Sequence, residues 1–363
     1  MTVGTIEGTW QDIARGPVAA LESIKHLGTN GGGFFGANSS TPFENPTVLS
    51  DIAELISMMI LPGACVVTFG HMLHDCKKER GEGAVIFGAM AIIFAIGLTI
   101  CFSAEKAGNP VIANLGISQE MGNMEGKEVR FGIDQSSLFT TVTTSFTTGT
   151  VNNMHDSLTP LGGMVPMLHM MLNCVFGGKG VGLMNMVMYV ILAVFICGLM
   201  VGRTPEYLNK KIEGKEMKLV AIVILIHPLL ILGFSGLAVS VQAGLSGITN
   251  PGFHGLSQVL YEYASSAANN GSGFEGLADN SVFWNVTTGL AMFFGRYIAI
   301  VAQLAIAGSM LMKRRINESI GTLRTDNVTF MIILVFIVYI FAALTFFPAL
   351  ALGPIAEHLS LWM

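Results

Sequence analysis

The chain has 363 residues, of which 52% are hydrophobic and only 12% charged; 19 basic and 24 acidic side chains give a net charge of −5. A soluble domain carries about 25% charged residues, so the composition excludes an ordinary soluble enzyme and a disordered segment, and it offers no basic footprint for nucleic acid. Glycine contributes 43 residues, a surplus used by close-packed membrane helices and by irregular backbone at membrane depth.

No cleavable signal pattern is read in the polar, glycine-rich residues 1–49, so the membrane helices themselves are expected to direct insertion. A crossing needs about 20 mostly apolar residues. Spans are predicted at Glu54–Met72, Ala84–Phe102, Met164–Val201, Lys218–Val241, Trp284–Met312 and Thr329–Leu352. The third is too long for one crossing and is expected to break at Gly177-Gly178-Lys179-Gly180-Val181-Gly182, where four glycines in six residues disfavour a regular helix. Lys77, Lys78 and Arg80 lie in one connection, Arg203, Lys210, Lys211, Lys215 and Lys218 in a second, and Lys313, Arg314, Arg315 and Arg324 in a third. The positive-inside rule places these three loops in the cytoplasm. The longer stretches 103–137 and 242–283 hold only Lys106, Lys127 and Arg130, and are expected outside. Cys65, Cys76, Cys101, Cys174 and Cys197 are scattered without metal-ligand spacing, as small hydrophobes would be.

Three polar, glycine-bearing turns follow short semi-apolar segments: Leu27–Gly33, Phe146–Asn152 and Ala268–Phe274. Gly31, Gly149 and Gly271 recur at spacings of 118 and 122 residues, which reads as an internal repeat of spanning helix, short helix, glycine turn and spanning helix. Glycine opens backbone angles closed to other residues, and Thr and Asn add neutral oxygens. Re-entrant segments of this kind build rings of carbonyls that replace a cation's hydration shell. The short helices expected at Ser136–Phe146 and Gln258–Ala267 would aim their partly negative C-termini at such an ion. With no carboxylate in the turns, the cage suits a weakly hydrated monovalent ion better than calcium or magnesium.

Other motifs carry less. Gly31–Gly36 matches the letters of a dinucleotide fingerprint but follows a helical stretch, and Gly178-Lys179-Gly180 lacks the spacing of a phosphate loop. His155-Asp156 has no serine elbow beside it and is expected to cap the next helix and line the outer vestibule. His71, His74, His169 and His227 read as packing or interfacial groups. Trp10, Trp284 and Trp362 read as membrane-edge residues. Lys179 and Arg296 are basic residues within apolar segments and are candidate groups along an ion path. No aspartyl-phosphate site or nucleotide-binding loop is read, so no catalytic residue and no organic cofactor is expected.

Gly28–Phe35, Gly162–Met167, Gly198–Tyr207 and Ala342–Glu357, the last including Leu344-Thr345-Phe346-Phe347-Pro348-Ala349-Leu350, closely resemble the potassium-binding A subunit family of the bacterial Kdp potassium-transporting ATPase. The likeness runs through essentially the whole chain. It implies an all-α polytopic membrane protein of helix–pore-loop–helix repeats, of the potassium-transporter superfamily type, in the bacterial cell membrane with its filter loops outside. It also implies a P-type ATPase partner subunit that hydrolyses ATP, two small accessory membrane subunits, and potassium as the transported ion. The filter positions carried over are Thr29, Asn30, Gly31, Thr147, Thr148, Gly149, Asn269, Asn270 and Gly271. On this pattern residues 1–83 form a partial repeat (pore loop and second helix), 84–203 and 204–315 complete repeats, and 316–363 an extra C-terminal helix. Family members have four repeats, so a first repeat and one helix, about 170 to 200 residues by the observed period, are expected to precede residue 1. Two alternatives follow from the same residues: a truncated or split, non-transporting fragment, or a gradient-driven potassium channel or symporter subunit.

Overall fold

The computed structural model describes residues 2–4, 6–36, 38–73, 80–316 and 322–361. His74, Cys76, Lys77, Lys78 and Trp362, singled out above, lie outside the described residues. A short hairpin of β1 (Thr2–Gly4) and β2 (Trp10–Asp12) precedes α1 (Gly16–Leu27). The first long helix is α2 (Val48–Met72), started by a reciprocal cap between Thr47 and Ser50 that satisfies its first amides. Next come α3 (Arg80–Ala107) and the single turn α4 (Pro110–Asn114), then α5 (Gly132–Ser145), α6 (Pro160–Leu172) and α7 (Val181–Met200). A two-residue ribbon, β3 (Glu206–Tyr207) with β4 (Lys210–Lys211), leads into α8 (Gly214–Ser240) and the short α9 (Gln242–Leu245). The chain then runs through α10 (Phe253–Ala268), α11 (Val282–Met312) and α12 (Val328–Leu350). A π turn at Ala351–Ile355 connects to α13 (Ala356–Leu361).

Among the described residues, six helices are long and apolar enough to cross a membrane: α2, α3, α7, α8, α11 and α12. Five match the expected spans, with starts one to six residues earlier because polar caps such as Ser281 and Asn327 accept bonds from the first turn before the apolar run begins. The sixth match is partial. The expected span Met164–Val201 is two helices: α6 starts at Pro160 behind the Thr159 cap and stops at Leu172, and α7 starts at Val181. The break falls earlier than the glycines alone predict because Asn173 adopts a left-handed conformation (φ +45°), which asparagine tolerates; Gly182 is already inside α7.

At 1.5 Å per residue α1, α5 and α10 are about 18 to 24 Å long, short of the roughly 30 Å hydrocarbon core. α5 packs against α2, α3 and α6, and α10 against α8 and α11, while α1 lies along α2 with only Val18, Lys25 and His26 buried. Thr140, Thr141, Thr143 and Thr144 of α5 are buried, and Thr141 and Thr144 donate to carbonyls four residues back, so a polar helix is carried inside the bundle without orphan hydroxyls at those positions. The core has two parts. One gathers Met58, Ile86, Phe139, Phe146, Tyr189 and Phe330 from α2, α3, α5, α7 and α12; the other gathers Met167, Tyr261, Tyr263, Trp284 and Phe346 around α10. Trp284 is fully buried and stacks on Tyr263. That corrects its reading as a membrane-edge residue: an aromatic partner within the bundle outweighs the interfacial preference of indole.

Candidate ion-filter site

The helices α1, α5 and α10 end in the same backbone device. Thr29, Thr147 and Asn269 take left-handed angles (φ +47°, +52° and +55°), and two residues later Gly31, Gly149 and Gly271 again have positive φ (+66°, +90° and +106°). The residue between them donates its N–H to the carbonyl five residues back: Asn30 to Lys25 (3.0 Å), Thr148 to Thr143 (2.8 Å) and Asn270 to Ser265 (2.9 Å). The glycine amides of the second and third hairpins donate to Thr143 Oγ1 and Ser265 Oγ, each at 3.0 Å. Residue 25 is a lysine, so Gly31 donates to the Lys25 carbonyl instead (3.3 Å). This is helix C-capping in which the terminal carbonyls are satisfied by the turn that follows.

Drawing the amides back onto their helices leaves the turn carbonyls free. Among the described residues, the carbonyls of Thr29, Asn30, Thr147, Thr148, Asn269 and Asn270 accept no hydrogen bond from the protein. Thr29, Thr147, Thr148 and Asn270 are buried. Buried backbone carbonyls without a partner are costly, and a cation is a partner that only carbonyl oxygens pointing away from their own amides can offer to coordinate.

The hairpins seat against one another in order. A Cβ on Gly31 would lie 2.3 Å from the Thr148 carbonyl oxygen, and one on Gly149 would lie 2.1 Å from that of Asn270. Backbone therefore meets backbone at both junctions, which only glycine permits. Asn270 adds a cross-link, donating through Nδ2 to the Thr143 carbonyl (2.9 Å) while its Oδ1 accepts from the Ser272 amide (2.9 Å). On the third side nothing among the described residues lies within 4 Å of a Cβ on Gly271. The nine residues expected at the filter are thus gathered into three adjacent hairpins with one open flank.

Two cavities border the hairpins. One, of about 590 Å³, is lined by Thr29, Asn30 and Asn38, by residues 269–275, and by Glu262, Asp279 and Arg296. Burial pushes the Glu262 and Glu275 carboxyls up to about 7. Glu275 Oε2 accepts from the amides of His155 (2.9 Å) and Asp156 (3.2 Å), which fixes its position. The other cavity, of about 210 Å³, is lined by Thr29, Thr147 and Asn269 of the hairpins and by Asn173, Gly178 and Lys179 of the interrupted segment, with Arg296 in its wall. A Cβ on Gly178 would lie 3.2 Å from Thr29 Oγ1, so the interruption passes directly beside the first hairpin. Lys179 and Arg296 share this cavity, and Arg296 also reaches the larger one.

Several groups here escape sequence reasoning. Asn173 Nδ2 meets His227 Nε2 (3.1 Å), the Asn173 carbonyl accepts from Asn185 Nδ2 (2.7 Å), and Gln303 Nε2 donates to Asn185 Oδ1 (2.7 Å). The available signal was a lone amide in an apolar span, which asks for a partner inside the bundle. His155 and Asp156 require a correction. His155 is fully buried with Nδ1 2.6 Å from the Tyr261 hydroxyl, and Thr159 caps α6 instead. Asp156 pairs with His254 (3.1 Å), whose other nitrogen meets Glu357 (2.8 Å). Burial opposes charge on His254, but the Asp156 and Glu357 carboxylates outweigh it and hold the imidazolium up to about 9.

Half-length helices ending in glycine hairpins within a bundle of spanning helices define a polytopic membrane protein with re-entrant segments. The family described as "Potassium-transporting ATPase A subunit" matches residues 1–359, and the chain belongs to this KdpA family. It is 61% identical over 360 residues to the potassium-transporting ATPase potassium-binding subunit of Clostridium acetobutylicum. It is 58% identical over 361 residues to the protein of the same name from Geobacillus kaustophilus, and to potassium-binding subunit 2 of Staphylococcus aureus. In each case 99% of this chain aligns with 64% of the relative, so the chain spans just under two thirds of their length.

Proposed function

We propose that this chain supplies the potassium-selecting part of an ATP-driven uptake complex in the bacterial cell membrane. The nine residues Thr29–Gly31, Thr147–Gly149 and Asn269–Gly271 serve as the filter. Its partners in this reading are a P-type ATPase subunit that hydrolyses ATP and two small accessory membrane subunits. The basic loops lie in the cytoplasm and the hairpins open outside. The observation that carries the reading is the set of six carbonyls that accept no hydrogen bond, on three hairpins seated backbone to backbone. Neutral oxygens at this density replace the hydration shell of a large monovalent cation. Lys179 and Arg296, in the cavity beyond the hairpins, act as fixed positive charges that discourage an ion from resting there. In this reading the repeats divide at residues 83, 203 and 315, and each of the first three divisions holds one of the short helices α1, α5 and α10 with its turn.

The decisive measurement is uptake by the chain co-produced with these partners in cells lacking other potassium uptake. Potassium and rubidium are expected to be taken up in preference to sodium, and uptake is expected to stop when ATP hydrolysis is blocked at a clamped membrane potential. Equal handling of sodium and potassium would reject the filter; persistence without ATP hydrolysis would reject the coupling.

The acidic cavity adds a pH dependence. Glu262 and Glu275 are raised to about 7 by burial, so both are mostly ionised at pH 8 and mostly protonated at pH 6. Negative charge at the entrance concentrates cations. Apparent rubidium affinity is therefore expected to fall between pH 8 and pH 6, and the double change Glu262→Gln and Glu275→Gln is expected to flatten that profile.

A further inference from the structure

A second cation-seeking cluster lies behind the first hairpin. Glu22 and His26 share one face of α1, four residues apart, and Glu54 of α2 faces them. One oxygen or ring nitrogen from each lies within 4.8 Å of the others. His26 Nδ1 is 2.9 Å from the Glu22 carbonyl oxygen. A carbonyl only accepts, so Nδ1 carries a proton, and Nε2 is the ring atom turned toward Glu54. Nε2 is 3.2 Å from Glu54 Oε2, an atom with no other hydrogen-bond partner on a residue that is 7% exposed. At this separation in a buried pocket a cation lies between the two atoms, either a proton on Nε2 or a metal ion.

The pocket's charge decides which cation fits. Lys25 lies between Glu22 (2.8 Å) and Glu44 (2.5 Å). Three carboxylates against one ammonium leave two negative charges, which a proton halves and a dication cancels. The 3.2 Å separation also suits adjacent ligands of a tetrahedral ion, which lie about 3.3 Å apart for bonds of about 2.0 to 2.1 Å. A carbonyl holding Nδ1–H is the usual way a ligating imidazole is oriented.

We infer that Glu22, His26 and Glu54 form a binding site for a divalent transition-metal ion of the zinc type, with water completing its coordination. The site sits on the helical turn that carries the first hairpin: the His26 carbonyl accepts from the Thr29 amide (3.1 Å), and the Lys25 carbonyl accepts from those of Asn30 and Gly31. A bound metal ties this turn of α1 to α2. Its presence does not depend on which ion the hairpins select.

The test uses zinc(II), and cobalt(II) as a spectroscopic probe, on the full chain purified in detergent. His71 and His74 are replaced by alanine so that their His-x-x-His spacing does not compete. One equivalent of zinc is expected to survive dialysis, and cobalt is expected to show the absorption of a low-coordinate nitrogen and oxygen site. His26→Gln and Glu54→Gln are each expected to weaken zinc binding at least about tenfold, with the helical circular dichroism unchanged. Zinc X-ray absorption on the chain with His26 and Glu54 intact covers the case in which a variant misfolds, because one imidazole with oxygen neighbours is required there. Failure to retain zinc, unaltered affinity in His26→Gln, or a metal shell without imidazole would overturn the assignment.

Discussion

Gly149→Ala is expected to destabilise the isolated chain and, in the proposed filter, to abolish the preference for potassium. The Cβ would lie 2.1 Å from the Asn270 carbonyl oxygen and 2.8 Å from its carbon, and these are backbone atoms that cannot swing aside. The residue also sits at φ +90°, where a side chain costs about 1–2 kcal/mol before any contact is counted. The Asn270 carbonyl must therefore turn away from its place between the second and third hairpins. Each 1.4 kcal/mol of cation stabilisation lost is about tenfold in affinity, so potassium affinity is expected to drop by well over about tenfold. Gly271→Ala provides the comparison within the isolated chain. It has the strained φ of +106° but meets nothing within 4 Å among the described residues. Thermal unfolding is expected to show the smaller loss for Gly271→Ala; equal losses would mean that strain alone, and not the seat between hairpins, makes Gly149 necessary.

That contrast marks how far the amino-acid pattern reaches. The spanning helices are legible because each is a long apolar run, and the hairpins are legible because Thr, Asn and Gly recur at a nearly constant period after segments too short to cross. The left-handed angles at Thr29, Thr147 and Asn269 are less so: threonine disfavours that conformation, and it is imposed here by the amides two residues on returning to the helix. Gly177–Gly182 marked an interruption correctly, yet Asn173 sets where it begins, since asparagine ends a helix as glycine does. The buried ionic partners were hidden for a different reason. Lys25 with Glu44, Glu105 with Lys127, and His254 with Asp156 and Glu357 are joined by the tertiary fold, each pairing a helix residue with one distant in the chain, and no local periodicity encodes them. Trp284 fails in the same way, because only the fold brings Tyr263 against it.

Glu105 shows what such a hidden pair contributes. It lies near the end of α3 and is fully buried. One carboxylate oxygen accepts from the Thr159 amide (2.8 Å) and hydroxyl (2.6 Å), the other from Asn123 Nδ2 (2.9 Å) and Lys127 Nζ (2.6 Å). One side chain thereby joins α3, the 115–131 connection and the cap of α6, the helix leading to the interruption beside the first hairpin. Glu105→Ala leaves Lys127, whose side chain is wholly enclosed, with a buried charge and no carboxylate partner. Removing one member of a buried ion pair costs about 3–5 kcal/mol, and the Thr159 and Asn123 donors lose their acceptor as well. A large drop in unfolding temperature is expected for Glu105→Ala. Glu105→Gln should recover only part of it, because an amide can accept from Thr159 but cannot neutralise Lys127. The paired change Glu105→Ala with Lys127→Met should be milder than Glu105→Ala alone, since it removes the stranded charge. Should the double variant prove as unstable as the single one, the cost lies in the lost cap of α6 and not in the unpaired lysine.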